Sequence, residues 1–344
     1  MDLKSEFLLT VSCLVLAISS SALAKKPDNI VRVDCAKGGS IMKALENSAE
    51  ELIIEISGMC EEDVQVHRSN VTLRGTDPLL DGIRPAQDEV LNQALNLFGV
   101  HRVNIENLKL TGGNVGLGMN GSFAVDIINC RIEDNNSVGL ILGSASGSVD
   151  LTDTLVSGNG DHGVIIANGS GLECWNCTVN NHNRREFRLM QGSSLGLYGA
   201  TVQGVRAIYA NGGSRVFTLY LSTLNTLEGS RDAIHLFGNA AADLRDAAII
   251  GTLNLQEKSV ATLWDTTQTV SSGFNRIYSG SSLVVHNSSS LAGNFSISEF
   301  SNITLPGGTT VSGSLSCSLG ADAFCDTPLV SVGGTSDCSQ CLKP

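Results

Sequence analysis

Residues 125–147 read VDIINCRIEDNNSVGLILGSASG, and residues 149–171 read VDLTDTLVSGNGDHGVIIANGSG. Residues 172–193, LECWNCTVNNHNRREFRLMQGS, and residues 195–214, LGLYGATVQGVRAIYANGGS, continue the pattern. Val125, Val149, Leu172 and Leu195 correspond at steps of 24, 23 and 23. Ile132, Val156, Val179, Val202 and Leu224 form a second set, and Val103 and Leu110 carry both sets back by a step of 22. Within each unit, apolar and polar residues alternate over short stretches, the period of a strand, and Gly, Asn, Ser and Asp mark turns between them. So short a unit cannot bury its apolar side alone, so stacked units must make the core. One coil of three short strands accounts for the 22–24-residue step. The Leu-x-x-Leu-x-Leu pattern of leucine-rich repeats is absent, and a β-sandwich gives no reason for so regular a step. The expected fold is all-β, a parallel β-helix.

These units, with Asn129, Asp153 and Asn176 at equivalent turns, resemble the repeats of the pectate-lyase-like superfamily of right-handed parallel β-helices. The resemblance spans roughly residues 60–315, with residues 282–285 and 302–305 as later, less regular coils. It implies a right-handed solenoid with stacked turn residues. It implies little about chemistry, because many unrelated activities share this scaffold.

The flanks fit a solenoid whose open ends must be covered. Residues 40–50 suit a short amphipathic helix with Ile41, Ala44 and Leu45 on one face. Residues 25–60 are therefore read as an N-terminal cap and first coil, 61–315 as the β-helix, and 316–344 as a Cys-rich C-terminal cap. Residues 1–24 read as a signal peptide: an apolar run over 7–18 ends in Ala22-Leu23-Ala24, the small-x-small pattern of a cleavage site. Asp2, Lys4 and Glu6 depart from the usual positive start. The apolar run is shorter than the ~18 residues that cross a bilayer. The expectation is a secreted protein, extracellular or periplasmic, without membrane insertion.

Without that leader, 21 basic and 32 acidic residues give a net charge of −11. This balance argues against nucleic acid, whose binding requires neutralised phosphates. Nine cysteines remain, and in an exported chain they read as disulfides before metal ligands. The candidates are Cys35 and Cys60 around the first coil and Cys317, Cys325, Cys338 and Cys341 in the tail. An odd count leaves at least one thiol free or shared between molecules. Cys174 and Cys177 fall in a coil strand, not at a helix N-terminus, so packing is expected of them and not redox chemistry. Cys130 and Cys177 stand two coils apart, ~9.6 Å, too far to be bridged.

Register identifies one charged face. If Leu140, Val164, Phe187, Ile208 and Ile234 point inward, their following neighbours Arg188, Tyr209 and His235 point outward. His162, Arg185, Arg206 and Asp232, two positions before the inward set, are placed on the same outer surface, with Arg184 and Arg231 beside them. The strip spans four coils, ~15 Å at ~4.8 Å per strand. In an acidic protein this is a local reversal of sign that would draw an anionic sugar chain. The bland alternative is a solvated face in which Asp232 bridges Arg206 or Arg231 and Glu186, in a turn, bridges Arg184 or Arg185.

Hydrolysis of a glycosidic bond needs two carboxyls ~5–9.5 Å apart. Asp161 and Asp232 would stand three coils, ~14 Å, apart, and polygalacturonase-like signatures are missing. β-Elimination from a uronic acid suits the inventory better: Arg188 or Arg206 neutralises the carboxylate while Tyr209 or His235 acts as base or acid. C5 epimerisation would begin the same way, but the Asp-Pro-His signature of alginate epimerases is absent. His162, Arg184, Arg185, Arg231 and Asp232 would hold substrate. No cofactor is expected; calcium would suit a lyase, but Asp161, Glu186 and Asp232 are too scattered to define a site. The favoured reading is a lyase on an acidic polysaccharide. The alternative is a noncatalytic glycan-binding or cell-envelope adhesion protein.

Overall fold

The computed structural model describes residues 29–86, 92–144, 146–227, 231–287, 289–325 and 330–338. Residues 1–24, read above as a signal peptide, and Cys341 lie outside these residues. The described strands form three parallel sheets of 14, 13 and 12 strands, the faces of one parallel β-helix. Each coil contributes one strand to each sheet and pairs with the coil above and below it.

The apolar columns legible in the sequence are the columns that stack. Val125 pairs with Val149, Val149 with Leu172 and Leu172 with Leu195 in the fourteen-stranded sheet. Ile132, Val156, Val179, Val202 and Leu224 pair consecutively in the thirteen-stranded sheet. Leu140, Val164, Phe187, Ile208 and Ile234 do so in the twelve-stranded sheet. The residues of these three columns face one continuous apolar interior in which Val149, Val156, Val164 and Phe187 are fully buried.

Corners set the shape. Between the fourteen- and thirteen-stranded sheets a single residue reverses the chain with φ of 50–52° at Asn107, Asn129, Asp153 and Asn176. Asn and Asp tolerate this left-handed conformation better than other side chains with a Cβ. Asn129 Nδ2 also donates to Asn107 Oδ1 at 2.7 Å, tying one coil to the next. At another corner, buried serines recur at 122, 146, 170, 193 and 214. Ser170 shows their use: its hydroxyl accepts from the Ser146 N–H at 3.0 Å and donates to the Ala167 carbonyl at 2.7 Å. The bend is thus buried without stranding backbone polar groups.

The N-terminal helix is shorter than the sequence suggests, spanning Ile41–Leu45 with Ser40 as its N-cap. It ends where Asn47 Oδ1 accepts from the Ala49 N–H, a local turn that competes with another helical step. Cys35 pairs with Cys60 and Cys317 with Cys338, and Cys325 is disulfide-bonded as well. Cys174 and Cys177, expected only to pack, are joined to each other. The tight turn at Asn176 brings their Cα atoms to 5.7 Å, within bridging range. Cys130 is the free, buried thiol among the described residues.

Phe187 fills the interior between Val164 and Ile208 and is among the largest fully buried side chains. Phe187→Ala should lower unfolding stability by about 3–5 kcal/mol, read as a lower urea midpoint; an unchanged midpoint would contradict this packing.

Candidate functional site

The outer surface of the twelve-stranded sheet owes its composition to a local break in strand alternation. Glu186 and Phe187 are consecutive and both fully buried, as are Ala207 with Ile208 and Ala233 with Ile234. Two inward residues in a row put the residues on either side of them on the outer surface. This is how Arg185 and Arg188, Arg206 and Tyr209, and Asp232 and His235 come to share one face.

Register then assembles the centre of the site. Arg188 lies beside Tyr209, Tyr209 beside His235 and His235 beside Asn254 on successive strands. The Arg185 guanidinium sits 4.0 Å above the Tyr209 ring, and Tyr209 meets His235 edge-on at 5.1 Å. His235 Nε2 is 3.0 Å from Gln256 Nε2, which donates to it, so the ring proton rests on Nδ1, 3.4 Å from Asp232. Asp232 accepts hydrogen bonds from Thr252 at 3.0 Å and Asn254 at 3.1 Å. Burial works to raise the Asp232 carboxyl, but His235, Asn254 and Thr252 outweigh it and hold the pKa below the ordinary value. The result is a fixed Asp232–His235–Gln256 row next to a tyrosine lying under a guanidinium.

Among the described residues, carboxylates do not neutralise Arg185, Arg188 or Arg206. Glu186, read as a turn residue, instead lies in the strand Arg185–Leu189, fully buried, with its carboxylate on His182 Nδ1. Removal from water raises its pKa, against the pull of His182. Gly204 makes the space: a Cβ there would collide with the Glu186 carboxylate. Asp232 turns to His235 and not to Arg206, and Asp161 pairs with the exposed Arg184 at 3.4 Å. Arg231 is exposed at the start of the strand Asp232–Leu236. Among the described residues, no carboxylate forms an ion pair with Arg185, Arg188 or Arg206. The Nε atoms of Arg185 and Arg188 are buried without a hydrogen-bond partner. Desolvation, together with repulsion from Arg188, Arg206 and Arg184, lowers the Arg185 pKa.

His162, expected to be exposed, is only 2% exposed. It is flanked in register by Val138 and the long Arg185 side chain, and neither ring nitrogen has a hydrogen-bond partner. Desolvation brings its pKa down to about 4; Asp161 opposes the shift and Arg185, Arg188 and Arg184 reinforce it. Near neutral pH it is therefore an uncharged ring beside the cations, not one of them.

Sequence reasoning missed Thr252, Asn254 and Gln256. Their signal was present in the alternation of residues 252–256, TLNLQ. The register shifts between Asp232 and Ile234 where this strand pairs, which hid it from a simple repeat count. Among the described residues, no group of three or more His, Cys, Asp or Glu side chains is placed to hold a metal ion, and no helix is long and apolar enough to cross a membrane.

Residues 87–224 match the family described as a right handed beta helix region. No curated protein matches the sequence significantly. Among solved structures, an alginate lyase from Paenibacillus sp. str. FPU-7 aligns over 88% of this chain and 97% of its own, at 10% identity and a TM-score of 0.37. The catalytic domain of a GH87 α-1,3-glucanase in complex with tetrasaccharides aligns over 90% of this chain and 69% of its own, at 12% identity and a TM-score of 0.42.

The unfolded chain protonates His162 near its ordinary pKa of 6.5, whereas the folded chain refuses the proton until about pH 4. Stability is therefore lost as pH falls through that window, by up to roughly 3 kcal/mol. Relative to the parent, His162→Leu should flatten unfolding free energy against pH between these limits. Parallel curves for the two proteins would refute the assignment.

Proposed function

We propose that this protein binds an acidic polysaccharide along the outer surface of the twelve-stranded sheet and cleaves it by β-elimination. The observation that carries the reading is the trio Arg185, Arg188 and Arg206, adjacent and without an ion-paired carboxylate among the described residues, in a chain of net charge −12. Three neighbouring guanidiniums repel one another, and an anionic ligand is what would offset that repulsion. Arginine also presents a planar fork that matches a carboxylate through two hydrogen bonds. The export expected of the leader would bring the protein to such polymers outside the cell.

In this reading Arg188, with Arg185 or Arg206, holds the uronate carboxylate and stabilises the charge that builds on it as the C5 proton leaves. Tyr209, next to Arg188, exchanges that proton. The C5–H electron pair forms the C4–C5 double bond, the C4–O bond breaks, and Tyr209 passes the proton it took from C5 to the departing oxygen. Asp232 and Gln256 fix His235 against the Tyr209 ring, which makes His235 a positioning residue. One observation favours the noncatalytic alternative, glycan binding or adhesion: both His235 nitrogens face protein partners, so the ring has no nitrogen turned to substrate.

The test is absorbance of unsaturated uronate products during incubation with alginate, pectate and glycosaminoglycans, alongside binding to the same polymers. Product should form from one of them. Arg188→Ala should then lower kcat/KM by about 10²–10³-fold, and Tyr209→Phe should abolish turnover while leaving binding intact. Binding without product would establish the noncatalytic alternative; neither binding nor product would overturn both readings.

A further inference from the structure

The fourteen-stranded sheet carries on its outer side a groove unlike the cationic face. Asp126, Asp150, Glu173 and Gly196 succeed one another in register, and Phe217 and Asp243 continue the column. Alongside it, Trp175 and Tyr198 stack with ring centroids 3.8 Å apart and planes 7° from parallel. Phe217 packs against Tyr198 at 74°, centroids 5.6 Å apart. It can do so because Gly196 has no side chain: a Cβ there would come within 2.6 Å of the Phe217 ring.

Phe217 lies between two recesses and lines both. One, of about 470 Å³, runs past Phe217 to Asp243, Arg245 and Val260. The other, of about 230 Å³, runs past Phe217 to Asp150, Glu173 and Ser194. Together they make a groove along the solenoid axis, with an aromatic ring at its midpoint and carboxylates on either side.

The polar groups here select against an acidic chain. Asp126, Asp150 and Glu173 form an unbroken acidic column, and burial with the charges of Glu173 and Asp126 raises the Asp150 pKa. At the other end Arg245 is already paired with Asp243 at 2.8 Å. A uronate would meet repulsion at one end and an occupied guanidinium at the other, where the exposed Arg215 is the second cation lining the recess. An uncharged pyranose meets complementary groups: its C–H face packs on an aromatic ring, and its hydroxyls donate to carboxylates, which only accept. The ~4.8 Å coil spacing is close to the length of one sugar unit, so successive coils can address successive units.

We propose that this groove is a second glycan site that takes a neutral pyranoside chain, on a face separate from the arginine cluster and independent of whether that cluster is catalytic. The two tryptophans of the chain, Trp175 and Trp264, both lie on this sheet and supply an optical reporter.

The experiment titrates the protein with neutral gluco-, manno-, xylo- and galacto-oligosaccharides, by calorimetry and by tryptophan fluorescence. At least one should bind and change the fluorescence. Phe217→Ala and Gly196→Ala, the second of which displaces the ring without removing it, should each weaken binding at least tenfold while the thermal midpoint stays close to the parent's. If Phe217→Ala fails to fold, Gly196→Ala and Asp150→Asn carry the test. Arg188→Ala and an excess of oligouronate should leave neutral-sugar binding unchanged. The proposal is overturned if no neutral oligosaccharide binds at millimolar concentration, if the folded groove variants bind as the parent does, or if oligouronate competes.

Discussion

Parallel backbone pairing between successive coils is the constraint on which everything else depends. Each strand exchanges hydrogen bonds with the coil before it and the coil after it, so residues 19–32 apart in sequence become vertical neighbours whatever their chemistry, as with Asp265 after Asp246 and Asp246 after Tyr220 at one turn. Pairing alone does not set direction, because strands on three faces need corners that are both bent and buried. The serine column at 122, 146, 170, 193 and 214 and the left-handed Asn and Asp column solve that problem. Variation in coil length is then confined to loops, and the columns stay in step.

Once the columns are in step, a single outer position becomes a row, and each face acquires a chemical character. The twelve-stranded sheet gathers guanidiniums, a phenol and an imidazole row. The fourteen-stranded sheet gathers carboxylates and stacked aromatic rings. A strongly acidic chain can therefore present two surfaces of opposite preference, because the charges of one column are held apart from those of another by the apolar interior between the sheets.

The architecture was legible because it is written in repetition. Val125, Val149, Leu172 and Leu195 need only be counted to be stacked. The outer face was legible only in part. Arg188, Tyr209 and His235 follow from simple alternation, whereas Arg185, Arg206 and Asp232 reach the same surface only because two consecutive inward residues break it. Glu186 was misplaced for a related reason: a carboxylate inside the solenoid is intelligible only with His182 to bond it and Gly204 to make room, neither visible from Glu186 alone. His162 has the sequence position of a surface residue, yet it lies buried between Val138 and Arg185 in register. Packing of this kind depends on neighbours 23 residues away and on their rotamers, which periodicity does not encode.

The covalent links have a consequence for how the chain is built. Cys35–Cys60, Cys174–Cys177 and Cys317–Cys338 join residues 25, 3 and 21 apart, none farther than about one circuit of the solenoid. In these three pairs no partner must wait for a distant segment to be made. Cys130, whose thiol burial pushes up to about pKa 12, is chemically silent once enclosed and does not attack the others. These three bonds can therefore close in the order in which their coils are completed, Cys174–Cys177 within one corner and the other two each across about one circuit.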